Sequence, residues 1–269
     1  MGSALDTALA LDRRLRERTA PVHRQLGNAT VVRDPQLSDV HYLNAVLLSR
    51  RSGALGAEDV VGLADRALDG CPHRHVVFDD ADQGERIAEV LAQRGWERER
   101  TLFMALSADR LTGGGDAMAV GGDARARLIS EADARELEAR TLAEEVPAAA
   151  GRSGLLGRLI ETARRRRSVN ECRCFGAGDG DALQSMGTLF VEEDLGGRRV
   201  AMVESVGTLV AYRERGLARA VVGAATAAAR DWGAELLVIP ADADDWPQLM
   251  YARLGFAPLG QQVAITREP

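Results

Sequence analysis

The chain has no lysine: all 34 of its basic residues are arginine. Every chemistry that depends on a lysine amine is thereby excluded, including Walker-type phosphate loops, protein-kinase phosphoryl transfer and pyridoxal Schiff bases. A codon bias in a chain also rich in Ala and Gly is the favoured reading of the absence, with a functional reason as the alternative. Excess positive charge is missing too. With a formal charge of -6 and a pI near 5.4, the chain is not a general nucleic-acid binder, because the phosphate backbone favours a net positive partner. Cys71, Cys172 and Cys174 are too few and too irregular for a disulfide framework, so a reducing, cytoplasmic setting is expected. Cys172 and Cys174 share one face of an expected strand without a second pair at zinc-ligand spacing, which favours packing over a metal. No apolar run approaches membrane-spanning length. Asp6, Asp12 and Arg13 interrupt the first twenty residues, so no secretory leader is legible there.

What the chain does have is material for a full core: 269 residues, 46% of them hydrophobic, enough for two ordinary domains or one large one. A surface helix is expected over Leu5 to Arg18, strands over Ala29 to Arg33 and Tyr42 to Leu48, and a helix over Ala57 to Leu68. A strand at His75 to Asp79, a helix at Gln83 to Arg94 and a strand at Thr101 to Leu106 follow. Residues Leu111 to Gly122 hold five glycines and have the composition of a linker. Beyond it come a strand at Ala126 to Ser130, two helices, a meander of three strands ending at Arg199 to Val210, a helix to about Arg230, and a closing strand, helix, strand. Asp179-Gly180 and Gly196-Gly197 are the hairpin signals within the meander.

The most informative stretch is Val203 to Arg219. It has the pattern of a strand, a turn at Arg213-Glu214-Arg215-Gly216, and a helix whose first turn holds only small, apolar or basic residues. A helix start carries unpaired N–H groups and partial positive charge, so it accepts a phosphate when no side chain obstructs it. Gly216 and Ala218 keep the approach open, while Arg213, Arg215 and Arg219 add forked donors suited to phosphate oxygens. Further on, Leu249-Met250-Tyr251-Ala252-Arg253-Leu254-Gly255-Phe256 follows a second expected strand at Glu235 to Ile239.

These two segments, in this order and at this separation, resemble the GNAT N-acetyltransferase superfamily. Arg213-x-x-Gly216-x-Ala218 is similar to its acyl-CoA pyrophosphate loop, and the Tyr251 segment to its Leu-Tyr-x-x-x-Gly-Phe motif. The resemblance spans roughly Ala124 to the C-terminus. It implies an α/β fold with a mixed, mostly antiparallel sheet flanked by helices, and an acetyl-CoA-dependent N-acetyltransferase acting on a primary amine. By the same resemblance Arg213, Glu214, Arg215, Gly216, Leu217, Ala218 and Arg219 hold the pyrophosphate. Val206, Gly207 and Thr208, on a strand that parts from its neighbour, hold the pantetheine arm and the thioester carbonyl. Tyr251 is implied as general acid, since a phenol of pKa near ~10 can return a proton to a departing thiolate.

The base is less legible. Strand alternation puts Glu204 on the face of Val206 and Thr208, where it could take the amine proton directly or through water, or merely attract a cationic substrate. The acids Asp242, Asp244 and Asp245 fit an N-cap of the Tyr251 helix. Arg164 to Arg167 has the pattern of a solvated helix end with charges placed for the dipole, and the four histidines lie outside the competent half. Acceptors left open are small amine metabolites, amino sugars, including the amino-sugar thiol precursors some tandem members acetylate, and protein N-termini or side chains. An acyl-CoA-binding regulator without turnover is the alternative class. A homodimer is compatible with the sequence; neither a nucleic acid nor a membrane partner is expected.

Sliding the chain by 160 residues reveals an internal repeat. Gly95-Trp96 falls on Gly255-Phe256, and the helix opening at Gly56 falls on that opening at Gly216. Two GNAT-like domains follow: residues 1–110 as a degenerate copy, 111–123 as linker, and 124–269 as the competent copy. Gly53 stands opposite Arg213, Glu58 opposite Ala218 and Leu91 opposite Tyr251. A carboxylate where pyrophosphate would lie repels it, so no CoA is expected in the first copy.

Overall fold

The structure, a computed structural model, describes residues 3–112, 125–145, 154–180 and 182–268. All of the expected linker except Leu111 and Thr112 lies outside these residues. The N-terminal half runs α1 (Ala4–Thr19), β1 (Val22–Leu26), β2 (Ala29–Arg33), β3 (Ala45–Leu48), α2 (Ala57–Ala67), β4 (Arg74–Phe78), α3 (Ala81–Leu91), β5 (Glu97–Ser107) and α4 (Ala108–Thr112). The C-terminal half runs β6 (Ala126–Leu128), α5 (Glu131–Glu145), α6 (Leu155–Val169), β7 (Cys172–Ala177), β8 (Ser185–Glu192), β9 (Val200–Thr208), α7 (Leu217–Trp232), β10 (Leu236–Asp242), α8 (Pro247–Arg253) and β11 (Ala257–Arg267).

The two expected sheets are joined into one of eleven strands, ordered β1-β2-β3-β4-β11-β5-β10-β9-β8-β7-β6. Among the described residues only β3 with β4 and β9 with β10 are parallel; the remaining pairs are antiparallel. At the offset of 160 residues, β5 (Glu97–Ser107) coincides residue for residue with β11 (Ala257–Arg267). These two last strands are exchanged between the halves. β5 pairs with β10, β11 pairs with β4, and β5 and β11 pair with each other at the centre.

Strand alternation divides the core between the two faces. Ala201, Val203, Leu237 and Ile239 meet α7, while Val31, Val46, Val76 and Phe78 meet α2 and α3. On the opposite face Leu9, Leu11 and Leu15 of α1 pack on Phe103, Val200, Met202 and Val238. Each fully buried leucine contributes roughly 1.5–3 kcal/mol. Helix α1 begins at a reciprocal cap, with the Asp6 N–H donating to Ser3 Oγ at 3.1 Å and the Ser3 N–H donating to the Asp6 carboxylate at 2.9 Å. Gly84 of α3 lies so close to β11 that an added Cβ would stand 2.6 Å from Val263 Cβ, so the exchanged strand is tightly seated.

Two expectations are corrected and one strand is added. The segment Tyr42 to Leu48 is strand only from Ala45, after a 3₁₀ turn at His41–Leu43. Val22–Leu26 is a strand although four of its five residues are exposed, because it is the sheet's outer edge. Most consequentially, Arg164 to Arg167 is no solvated helix end. Arg164 alone stays exposed, pairing within α6 with Glu161. Arg165 pairs with buried Asp34 of the N-terminal half, Arg166 with Glu204, and Arg167 with Glu131 at 2.9 Å and Glu138 at 2.7 Å. Guanidiniums enter such an interior only where carboxylates meet them.

Candidate functional site

Strands β9 and β10 pair only at Val200 to Met202 with Leu236 to Val238, although both continue well beyond. Past Met202 they part, leaving backbone without a partner strand between them. A bulge lies at the same place. Thr188 stands opposite Glu204 and Met186 opposite Gly207, so Ser205 and Val206 together face Gly187, and Ser205 takes φ 52. Such bulges re-aim side chains, and here the bulge reverses the alternation expected for β9. Val206, with Thr208 in step, faces α7, where the Gly187 position touches Val221 and Val206. Glu204 and Gly207 face α5 and α6 instead: Glu204 meets Arg166, and an added Cβ at Gly207 would stand 3.3 Å from Thr141. Glu204 therefore does not share the face of Val206 and Thr208.

The backbone beyond the bulge is held by a short relay. Thr208 Oγ1 donates to Ser185 Oγ at 2.8 Å, which donates to the Gly207 carbonyl at 2.9 Å. Arg213 Nε donates to the Thr208 carbonyl at 3.1 Å, and its Nη2 lies 3.3 Å from Glu145 at the end of α5. A 3₁₀ turn at Val210–Tyr212 leads into the loop.

Glu214 at φ 64 and Gly216 at φ 78 both adopt left-handed backbone. For Glu214 this costs on the order of 1–2 kcal/mol; Gly216 takes it freely. Helix α7 then starts at Leu217 with no side-chain cap and no acid in its first turn. An added Cβ at Gly216 would lie 3.4 Å from Arg219 Nη2 and 3.6 Å from Arg125 Nη2. Two guanidiniums thus flank the helix start, Arg125 donating also to the Arg215 carbonyl at 2.9 Å. Arg215 lies over the Tyr212 ring and 3.7 Å from Asp179. Sequence reasoning missed Arg125: it lies far from the loop in the chain, and only the pairing of β6 beside β7 brings it near. These exposed ion pairs are individually weak, so the arginines can turn to an anion at little cost.

The N-terminal counterpart differs at both features. Val46, Leu47 and Leu48, which slide onto Val206, Gly207 and Thr208, pair with Val76, Val77 and Phe78 of β4, so β3 and β4 do not part there. The start of α2 carries Glu58 and Asp59. Asp59 accepts from the Gly56 N–H at 3.0 Å, and Glu58 meets Arg94 at 2.6 Å.

Tyr251 of α8 is 5% exposed within the core shared by α7 and β10, its ring 6.2 Å from that of Phe256. Burial pushes its phenol up to about 12, so it stays protonated across the neutral range. Among the described residues its hydroxyl has no hydrogen-bond partner. The acids before α8 do not cap it as expected. The N-cap is Trp246, without a side-chain cap bond. Asp242 accepts from the Asp244 N–H at 2.8 Å, Asp245 from the Trp246 N–H at 2.7 Å, and Asp244 is clasped by Arg100 of β5.

Three of the histidines are held by partners within the fold. His73 Nε2 bonds the Asn44 carbonyl at 3.0 Å, His75 Nδ1 bonds Thr266 at 2.8 Å, and His41 meets Glu268 at 3.0 Å. Among the described residues no group of His, Cys, Asp and Glu is placed to hold a metal ion, and no helix is long and apolar enough to cross a membrane.

Residues 134–256 match the family model described as "Acetyltransferase (GNAT) family". No curated protein sequence matches the chain. Among solved structures, the chain is similar to a conserved protein of unknown function from Staphylococcus epidermidis, with TM-score 0.67 at 10% identity over 91% of this chain and 92% of that one. It is similar to a GCN5-related N-acetyltransferase from Kribbella flavida, with TM-score 0.61 at 16% identity over 100% and 97%. A tandem GNAT protein from the clavulanic acid biosynthesis pathway matches with TM-score 0.52 at 16% identity over 83% and 75%. At these identities the likeness is one of fold.

Proposed function

We propose, from the match of residues 134–256 to the GNAT acetyltransferase family model, that the chain is an acetyl-CoA-dependent N-acetyltransferase with one competent site, acting on a primary amine of a small molecule by direct attack. The observation that carries this reading is the parting of β9 from β10 beside an uncapped, arginine-flanked helix start. The loop Arg213 to Arg219, with Arg125, fits a pyrophosphate: N–H groups, helix dipole and guanidiniums all favour phosphate oxygens. Among the described residues β9 has no strand partner on its β10 side beyond Met202, which suits an extended pantetheine arm and a polarised thioester carbonyl along Val206, Gly207 and Thr208.

In the reaction the amine nitrogen forms a bond to the carbonyl carbon as the carbon–sulfur bond breaks. Glu204, which faces α5 and α6 and is paired with Arg166, takes the proton released by the amine through water. Tyr251 gives its phenolic proton to the departing thiolate and is restored from solvent. Residues 1–110 keep the fold of a second copy but not its site, and by exchanging β5 for β11 they complete the sheet on which the competent half, residues 124–269, is built.

The test is release of free CoA thiol from acetyl-CoA across a panel of small amines. Amine-dependent release that is lost in Tyr251→Phe supports the enzyme. Acetyl-CoA binding without release, and unaltered by that substitution, favours the regulator reading.

A further inference from the structure

Arg166 of α6 lies between two aromatic rings. Its guanidinium carbon is 4.7 Å from the ring centre of Tyr42, from the N-terminal half, and 4.8 Å from that of Phe190. Its Nη1 meets Glu204. Its other edge, Nε with Nη2, is buried and makes no hydrogen bond among the described residues, and the adjacent Tyr42 hydroxyl is buried and unpartnered in the same way. Buried polar atoms are satisfied in the large majority of cases, so three unpaired donors together call for an explanation.

The unpaired Nε–Nη2 edge is one that a carboxylate can take side-on, with two parallel N–H···O bonds. The rings on both faces of the guanidinium favour a ligand lying in its plane. A flat carboxylate meets that condition, whereas a tetrahedral phosphate would project oxygens toward the rings. Nearby acids are already engaged: Asp12 accepts from Arg16 at 3.1 Å, and Arg16 itself covers the Tyr42 ring at 4.6 Å. Asp12 and Glu204 balance Arg16 and Arg166 one for one, so a zwitterionic ligand enters without adding net charge. The Arg166 side chain as a whole keeps 13% exposure, while its Nε–Nη2 edge is itself buried.

We propose that Arg166 and Tyr42 recognise a carboxylate on the acceptor, which makes the acceptor an amino acid or a similar amine with a carboxylate a few bonds from its nitrogen. This rests on the acetyltransferase reading and gives the N-terminal half a direct part in the acceptor site. Glu204, on the Nη1 edge of the same guanidinium, is then close to the amine that such an acceptor presents.

The experiment first measures acetyl-CoA binding by calorimetry. Thiol release and the melting temperature of the acetyl-CoA-loaded protein are then followed with matched probes: the common L-amino acids, their amides, and the corresponding amines without the carboxyl group. Carboxylate-bearing members should be favoured at least ~10-fold in kcat/KM over their amides, as loss of a charged hydrogen bond implies. Tyr42→Phe should raise KM for them roughly 3- to 10-fold, and Arg166→Lys, which keeps the charge but loses the fork, more than ~10-fold. Neither substitution should alter acetyl-CoA affinity. With acetyl-CoA binding intact, equal use of acid and amide, a preference that survives both substitutions, or no effect of any carboxylate-bearing probe on turnover or melting overturns the inference and leaves the acetyltransferase reading standing. Absence of acetyl-CoA binding overturns both.

Discussion

Replacing Tyr251 by Phe should separate catalysis from stability. The hydroxyl is unpartnered among the described residues while the ring is almost fully buried, so its removal leaves packing intact and sheds a polar group that gains little from the fold. A change in stability between zero and a gain of about 1 kcal/mol is expected. If the phenol delivers the proton to the leaving thiolate, kcat should fall by roughly 10²–10⁴, equivalent to about 3–5 kcal/mol of transition-state stabilisation. A second signature is alkaline. Burial pushes the folded phenol up to about 12 from an ordinary 10.0, so the unfolded chain loses its proton first. The resulting stability is present in full below pH 10 and drains away as pH rises toward 12. At 1.36 kcal/mol per unit, up to about 3 kcal/mol is involved. Denaturant unfolding from pH 9 to 12 should therefore steepen for the wild type relative to Tyr251→Phe, while thiol-release assays report kcat. A variant that keeps more than about a third of wild-type kcat would refute Tyr251 as the general acid, since general acid catalysis contributes far more than that.

Other consequences concern the frame. Arg167→Met strands buried Glu138, whose carboxyl burial already pushes up. A loss of about 3–5 kcal/mol is expected, largely recovered by adding Glu138→Met, and thermal melts of the single and double variants check it. Gly84→Ala drives a methyl into Val263 of the exchanged strand and should cost about 1–3 kcal/mol by denaturant titration; a neutral result would contradict the seating of β11 on α3. His75 is buried and held well below its usual range by desolvation first, with His41, Arg16 and His73 adding to it. The unfolded state therefore gains a proton first, and stability should drop as pH falls below about 6.5, a slope that His75→Gln should reduce.

The repeat was legible because strand, helix and strand recur at a constant offset, most clearly where β5 falls on β11. The exchange was not. An antiparallel strand follows the same alternation beside either copy, and nothing in β5 or β11 names its partner. The loop at Gly216 could be found from local residues, because small and basic side chains at a helix start have a direct electrostatic meaning. Arg166 could not: inside a run of four arginines, the one lying between two rings has no local mark. Glu204 was misplaced by a single bulge, since one extra residue at Ser205 reverses every alternation argument beyond it.

The account's central claim, one acyl-CoA site at the start of α7, is tested most directly by calorimetric titration of acetyl-CoA into the wild type and Gly216→Glu, with Gly216→Ala as control. Both substitutions carry the left-handed strain of about 1–2 kcal/mol, but only glutamate puts a carboxylate between Arg125 and Arg219. The account predicts a single site on the wild type, weakened modestly by alanine and at least ~100-fold by glutamate, as a like charge placed in a phosphate cradle implies. Two sites, binding indifferent to the glutamate, or no binding to the wild type would contradict it.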